Sequence, residues 1–168
     1  MKNSPLQLLR YVVVDVSCTA TPTFDPNKPF DNAIADQLSV NAAVTQQKAP
    51  ENFPGHSWAV EISISQTLKE GQNFPYTFRV TLVGYFACRE GLPPEAEEER
   101  FVRVNGSSML YGAAREIVRS LTACGPWGEL FLPGISFYDR DSKTKEEASS
   151  AKPLSAPAKG TNPATRPP

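Results

Sequence analysis

Few residues in this sequence are of the types that carry out chemistry. His56 is the single histidine, so one chain cannot build a histidine metal cluster, and a serine-histidine-aspartate triad would depend on this one ring. It lies in the stretch NFPGHSW, where proline and glycine predict a loop. A solvated loop histidine is therefore favoured over a catalytic one.

The cysteines and the acidic residues also give no sign of an active site. Cys18, Cys88 and Cys124 are odd in number, far apart and not arranged as C-x-x-C, which favours buried free thiols over a disulfide framework or a zinc site. The acidic run EAEEER at residues 95–100 is typical of a solvated linker or one helical turn. No P-loop, G-x-S-x-G or H-E-x-x-H pattern occurs. The sequence thus predicts a protein that is not an enzyme and that uses no cofactor or metal.

Aromatic and apolar residues in or beside loops rich in proline and glycine are the most distinctive feature. They are Phe24, Phe30, Phe53, Trp58, Trp127, Leu130 and Phe131. Such side chains are able to line a groove for the apolar side chains of an extended peptide, while unpaired strand edges offer main-chain hydrogen bonds. The same residues would serve equally well to close the ends of a core. The residue pattern alone leaves both interpretations open.

Length and charge limit the classes of partner. The chain has 168 residues, which suits one domain with an appendage, and its formal net charge of -1 provides no basic field for nucleic acid. Its apolar stretches are shorter than the roughly 18 residues of a membrane span. The N-terminal stretch is interrupted by Arg10 and Asp15 and lacks a signal-peptide cleavage site. We therefore expect a cytoplasmic protein that neither binds nucleic acid nor inserts into a membrane.

Alternation of apolar and polar residues predicts four strands with mostly non-helical connections, which indicates an antiparallel sheet. They lie at about residues 9–16, 38–45, 58–65 and 76–86. In the first strand, the alternation places Leu9, Tyr11, Val13 and Asp15 on one face. A proline-rich stretch after it predicts a long crossing loop, and the polar turn KEGQN predicts that the last two strands form a hairpin.

One amphipathic helix is predicted from about Ser107 to Cys124. Asn105 and its neighbours offer capping side chains, apolar residues recur at helical spacing, and Gly125-Pro126 provides a stop signal. The fold class is therefore α+β, with one long helix and a four-stranded antiparallel sheet.

Composition divides the chain into a domain and a tail. We expect the domain to span residues 1–138. Residues 139–168 are rich in Lys, Ser, Ala and Pro and hold almost no aliphatic residue. Such a segment cannot offset its ordering entropy by burial, so a disordered tail is predicted.

The segment from Asn105 to Phe137, NGSSMLYGAAREIVRSLTACGPWGELFLPGISF, resembles the SecB family of protein-export chaperones. In that family a Tyr-x-x-x-Arg-Glu helix is followed by Leu-Thr-x-x-Gly-Pro and by an apolar stretch ending in Leu-Pro-x-Ile-x-Phe. The matching positions are Tyr111, Arg115, Glu116, Leu121, Thr122, Gly125, Pro126, Leu132, Pro133, Ile135 and Phe137. With the strands and the crossing loop in the same order, the resemblance covers about residues 6–137.

The resemblance implies an assembly and an activity. Edge strands of two protomers would join into one sheet, and two such dimers would pack through their helices as a homotetramer. Family members act as holdases that bind unfolded polypeptides in apolar grooves without ATP. By this resemblance, the loop aromatic and apolar residues named above become groove residues for unfolded clients. The alternative is a structural or adaptor module that joins specific folded partners.

Departures from the family pattern affect which partner we expect. Gly112 and Ala113 stand where the family has a proline and an aromatic residue, and a second, lid-like helix is not evident. The family's acidic surface for the export motor SecA is represented by Asp15, with Arg79 at another aligned position. These two residues are the candidates for partner docking. The departures favour a dedicated client, such as the antitoxin of a toxin-antitoxin-chaperone system, at least as much as export with SecA.

Overall fold

The computed structural model describes residues 4–28, 38–49, 55–68, 71–89 and 94–138, except the side chains of residues 95 and 96. Phe30, Phe53 and the predicted tail at residues 139–168 lie outside the described residues. Within the described residues, four strands and one long helix are formed. They are β1 (Leu6–Ala20), β2 (Ser39–Gln47), β3 (Gly55–Gln66), β4 (Tyr76–Arg89) and α1 (Glu95–Ala123). In the described part of the chain, no helix is long and apolar enough to cross a membrane.

The strands form one antiparallel sheet in the order β1-β4-β3-β2, so β1 and β2 are its edges. β3 and β4 are neighbours, as the predicted hairpin requires. The chain between β1 and β2 has to pass from one edge to the other, which explains the length of the predicted crossing loop. The predicted α+β fold, a four-stranded antiparallel sheet with one long helix, is confirmed.

One face of the sheet is covered by α1. Buried residues recur every four positions along the helix from Glu98 to Thr122, which turns one stripe toward the sheet. The helix and the sheet approach closely where Leu110 lies over Gly84, because a Cβ on Gly84 would lie only 2.7 Å from Cδ2 of Leu110. Glycine therefore permits this contact between helix and sheet.

The helix begins at Glu95, well before the predicted start at Ser107. Capping by Asn105 was a wrong prediction, because its Nδ2 donates to the carbonyl of Phe101 within the helix, at 2.8 Å. Val102 is fully buried, so packing against the sheet stabilises a segment of modest helix propensity. The acidic run is accordingly the start of α1, where we predicted a linker or a single turn.

The first strand does not alternate as predicted. Its pairing with β4 shifts register between Leu8 and Arg10 and again between Val13 and Asp15. An extra residue at such a bulge moves all later side chains to the opposite face. Tyr11 and Val13 consequently lie on the face that α1 covers, whereas Asp15 lies on the other face. Strict alternation had wrongly placed all three together.

Candidate functional site

The segment after the helix, residues 125–138, is here called the platform. It has no regular secondary structure, but side chains of the fold hold its backbone in place. The hydroxyl of Tyr76 accepts a hydrogen bond from N of Trp127 and donates to the carbonyl of Gly128, both at 3.0 Å. The Oγ1 of Thr122 accepts from N of Leu130 at 2.8 Å. These contacts attach the start of the platform to β4 and to the end of α1.

Two side chains of α1 hold the next part of the platform. The hydroxyl of Tyr111 donates to the carbonyl of Pro133 at 2.8 Å, and Nε of Arg115 donates to the carbonyl of Leu132 at 3.0 Å. The side chain of Leu132 is itself buried in the core. The platform therefore runs along the helix in one defined conformation, although neither helix nor strand hydrogen bonds support it.

The start of the crossing loop joins the platform through two aromatic rings. Phe24 and Trp127 form an edge-to-face pair with ring centroids 5.4 Å apart. Nε1 of Trp127 also donates to the carbonyl of Thr21 at 3.2 Å. Nearby, the amide side chain of Asn73 accepts from N of Asp25 and donates to its carbonyl, each at 2.9 Å. The loop segment carrying Phe24 is thus fixed against both the sheet and the platform.

The side chain of Phe131 projects from the platform into solvent. Its side chain is 64% exposed, although the residues on both sides of it, Leu130 and Leu132, are buried. A cleft of about 420 Å³ lies beside it, lined also by Gly112 and Arg115 of the helix. The cleft is also lined by the charged side chains of Glu116 and Arg119. The platform therefore presents one exposed aromatic ring, able to contact an apolar side chain of a partner, beside a cleft with a largely polar lining.

The structure brings two of the predicted client-binding residues into contact, because the rings of Phe24 and Trp127 pack together. Leu130 belongs to the buried core at the end of α1. Phe131 lies farther back along the helix, beside Gly112 and Arg115. Trp58 lies apart from them in β3, near the start of the helix, and is buried by the chain itself. Client contact by these residues stays a prediction.

Trp58 contacts a buried carboxylate, that of Glu98, which no sequence pattern indicated as a functional or structural site. Glu98 accepts a 2.6 Å hydrogen bond from Nε1 of Trp58, and its other oxygen lies 2.8 Å from Nδ1 of His56. His56 is therefore a residue of β3 with a fixed partner, and our prediction of a solvated loop histidine was wrong.

Burial, together with nearby Glu98, raises the pKa of the Cys88 thiol to about 11, so this thiol stays protonated at neutral pH.

Asp15 and Arg79, the predicted docking residues, lie on the face of the sheet that α1 leaves uncovered. Asp15 pairs with Thr81 across the two strands, and Arg79 pairs with Ser17, so they occupy neighbouring rows. No ion pair between them is formed among the described residues. Partner docking at these positions stays a prediction.

The sequence matches the family model of SecB, the preprotein translocase subunit, over residues 2–144. The chain belongs to the SecB family. Membership of this family supports a chaperone role. A comparison with curated protein sequences finds no match.

Two solved structures share the fold of this SecB-family chain. One is the SecB-like chaperone of Mycobacterium tuberculosis in complex with a ChAD peptide from the HigA1 antitoxin. Its sequence is 18% identical to this one, the TM-score is 0.51, and the match covers 77% of this chain and 90% of that chain. The other is a protein of unknown function from Streptococcus agalactiae; it is 8% identical, with a TM-score of 0.53, over 77% of this chain and 97% of that chain. At these identities the likeness shows the fold alone.

Proposed function

We propose that this SecB-family protein is an ATP-independent holdase that binds unfolded polypeptides in the cytoplasm. The observation that carries the proposal is Phe131, an exposed aromatic ring on a platform that four side chains hold in place. A ring exposed by a fixed backbone loses little conformational entropy when it binds an apolar segment. A groove that includes Phe24 and Trp127 would then accept many sequences, because apolar contacts are not directional.

The client that we favour is a dedicated one, such as an antitoxin. The solved SecB-like chaperone of M. tuberculosis holds an antitoxin peptide, which supports a client of this class for a chain of the same fold. The uncovered sheet face supports the same choice. It carries Asp15 together with Arg79, where a surface that docks SecA would be predominantly acidic.

The assembly that we propose is a homotetramer built from dimers. Most apolar side chains of β1 are more than one third exposed, which is unusual for a strand and indicates a surface that another copy covers. They are Leu8, Leu9, Tyr11, Val12, Val13, Val14 and Val16. An open groove beside β1 is lined by Tyr11 and by Ala113, Ile117 and Leu121 of α1, so the apolar surface continues onto the helix. Such a surface supports pairing through both β1 and α1.

Aggregation of an unfolded model client, followed by light scattering without ATP, tests the proposal. We expect suppression at a near-stoichiometric ratio by a protein whose light-scattering mass is that of a tetramer. Phe131→Ser should weaken suppression, whereas Tyr138→Ser, which removes an equally exposed ring at the end of the platform, should weaken it less. A well-folded protein that suppresses nothing would contradict the holdase and favour the adaptor with one specific partner.

A further inference from the structure

A second surface lies on the uncovered face of the sheet, at the end where β4 finishes. A groove of about 430 Å³ crosses this face and is lined by residues of β1, β4 and β3 and by the end of β2. Its lining includes Arg10, Tyr85, Ser57, Gln47 and Lys48. With neighbouring strands about 4.8 Å apart, the groove spans about 14 Å, which is the length of a few extended residues.

The groove combines cations with apolar surface. The guanidinium carbon of Arg10 lies 4.6 Å from the ring centroid of Tyr85, which fixes the position of the charge over the ring. Lys48 lies at the other end of the groove. Arg89, the last residue of β4, is exposed.

These cations differ from two arginines of α1. Arg103 and Arg119 each have a carboxylate partner on or beside the helix. In contrast, Arg10, Lys48 and Arg89 have no ion-pair partner in the part of the chain that the structure describes. Unpaired cations at the two ends of an apolar groove provide attraction for anions without the cost of breaking internal ion pairs.

We propose that this cationic groove binds a short acidic segment of a partner protein, separately from the client site. Carboxylates would meet Arg10 and Lys48, and an apolar side chain between them would lie against Tyr85. Nucleic acid fits less well, because the same sheet face carries Glu61 and Asp15 farther along, and a longer polyanion would meet them. The chain's own tail is also a poor occupant, because it holds more lysine and arginine than aspartate and glutamate.

Fluorescence anisotropy with a labelled peptide of alternating glutamate and leucine, beside its lysine counterpart, tests the groove in the full-length protein. We expect the acidic peptide to bind and the lysine peptide not to bind. The double variant Arg10→Glu with Lys48→Glu should weaken binding by about tenfold or more, since attractive pairs become repulsive. Lys28→Glu is the control, because Lys28 is an exposed lysine in the loop after β1 that pairs with Asp25 and does not line the groove. It should change affinity less than about twofold, since exposed charges separated by more than about 8 Å are largely screened at 0.15 M salt.

Suppression of client aggregation separates this groove from the platform. The double variant should suppress aggregation as the unmodified protein does, whatever the outcome for the holdase itself. Equal peptide binding by the double variant, equal binding of the lysine peptide, or tighter binding of an RNA oligonucleotide would each overturn the proposal. Loss of suppression in the folded double variant would also overturn it, because the groove would then belong to the client site.

Discussion

Glu98 and Trp58 connect the start of the helix to the sheet through a buried hydrogen bond of 2.6 Å between the carboxylate and the indole Nε1. His56 lies 2.8 Å from the other carboxylate oxygen, and the Glu98 side chain is only 5% exposed. A buried carboxylate without partners would destabilise the fold, so each donor compensates for part of the desolvation. The pair accordingly fixes where the first turns of α1 lie on β3.

Removal of this carboxylate should destabilise the protein. We expect Glu98→Ala to lower the free energy of unfolding by about 2–4 kcal/mol, because the indole N–H of Trp58 loses its charged acceptor in a buried site. Urea denaturation at one fixed protein concentration measures the change. Glu99→Ala is the matched control, since Glu99 is an exposed neighbour that pairs with Arg103, and it should cost less than about 1 kcal/mol. Equal losses for the two variants would contradict a structural role for Glu98.

The four-residue spacing of the helix positions that face the sheet extends to the start of α1. Buried positions in α1 recur every four residues, and extending that spacing back from Leu110 through Gly106 and Val102 reaches Glu98. The acidic run and the Asn-Gly-Ser-Ser stretch concealed the helix start, because local composition resembles a linker and a cap. Tertiary packing against β3 and β4 outweighs these local preferences.

The sheet was predictable and the bulges were not. Alternation in β2, β3 and β4 gives the correct buried faces, because these strands pair with uninterrupted register. A bulge depends on the backbone of the partner strand, and nothing in the residues between Leu8 and Asp15 indicates the two register shifts in β1. The hydrogen bonds that hold the platform to Tyr76 and Arg115 join residues far apart in sequence, so no local pattern indicates them.

Tyr76→Phe tests whether the platform is held by side chains. Removing the hydroxyl leaves N of Trp127 without its acceptor and the carbonyl of Gly128 without its donor. We expect a loss of about 1–2 kcal/mol in the free energy of unfolding and faster amide hydrogen exchange across residues 127–133. Tyr85→Phe is the control, because that ring lies on the other face of the sheet. Unchanged exchange in the platform of Tyr76→Phe would contradict the proposed anchoring.

The buried thiol of Cys88 should make stability fall at alkaline pH. Burial and nearby Glu98 raise its pKa from 9.0 to about 11, so the folded chain keeps a proton that the unfolded chain releases. The contribution is therefore complete below about pH 9 and is lost as the pH rises toward 11. Urea denaturation from pH 8 to 11 should show a smaller decrease for Cys88→Ala than for the unmodified protein, and no such difference for Cys124→Ala, whose thiol is exposed. Parallel pH profiles for all three proteins would be incompatible with this assignment.

The edge that joins copies should be β1 and not β2. Val14 is 62% exposed at the second bulge, and a lysine there would place a charge in the proposed contact between copies. We expect Val14→Lys to lower the mass measured by light scattering to that of a smaller species at micromolar concentration. Asn41→Lys places the same charge at an exposed position on the opposite edge, which has no row of exposed large apolar residues, and should leave the mass unchanged. The reverse pattern would assign the contact to β2.

Val14 contributes little to the core, so its replacement separates assembly from folding. A lower-mass Val14→Lys protein with a normal urea midpoint would show that one chain holds the platform without its neighbours.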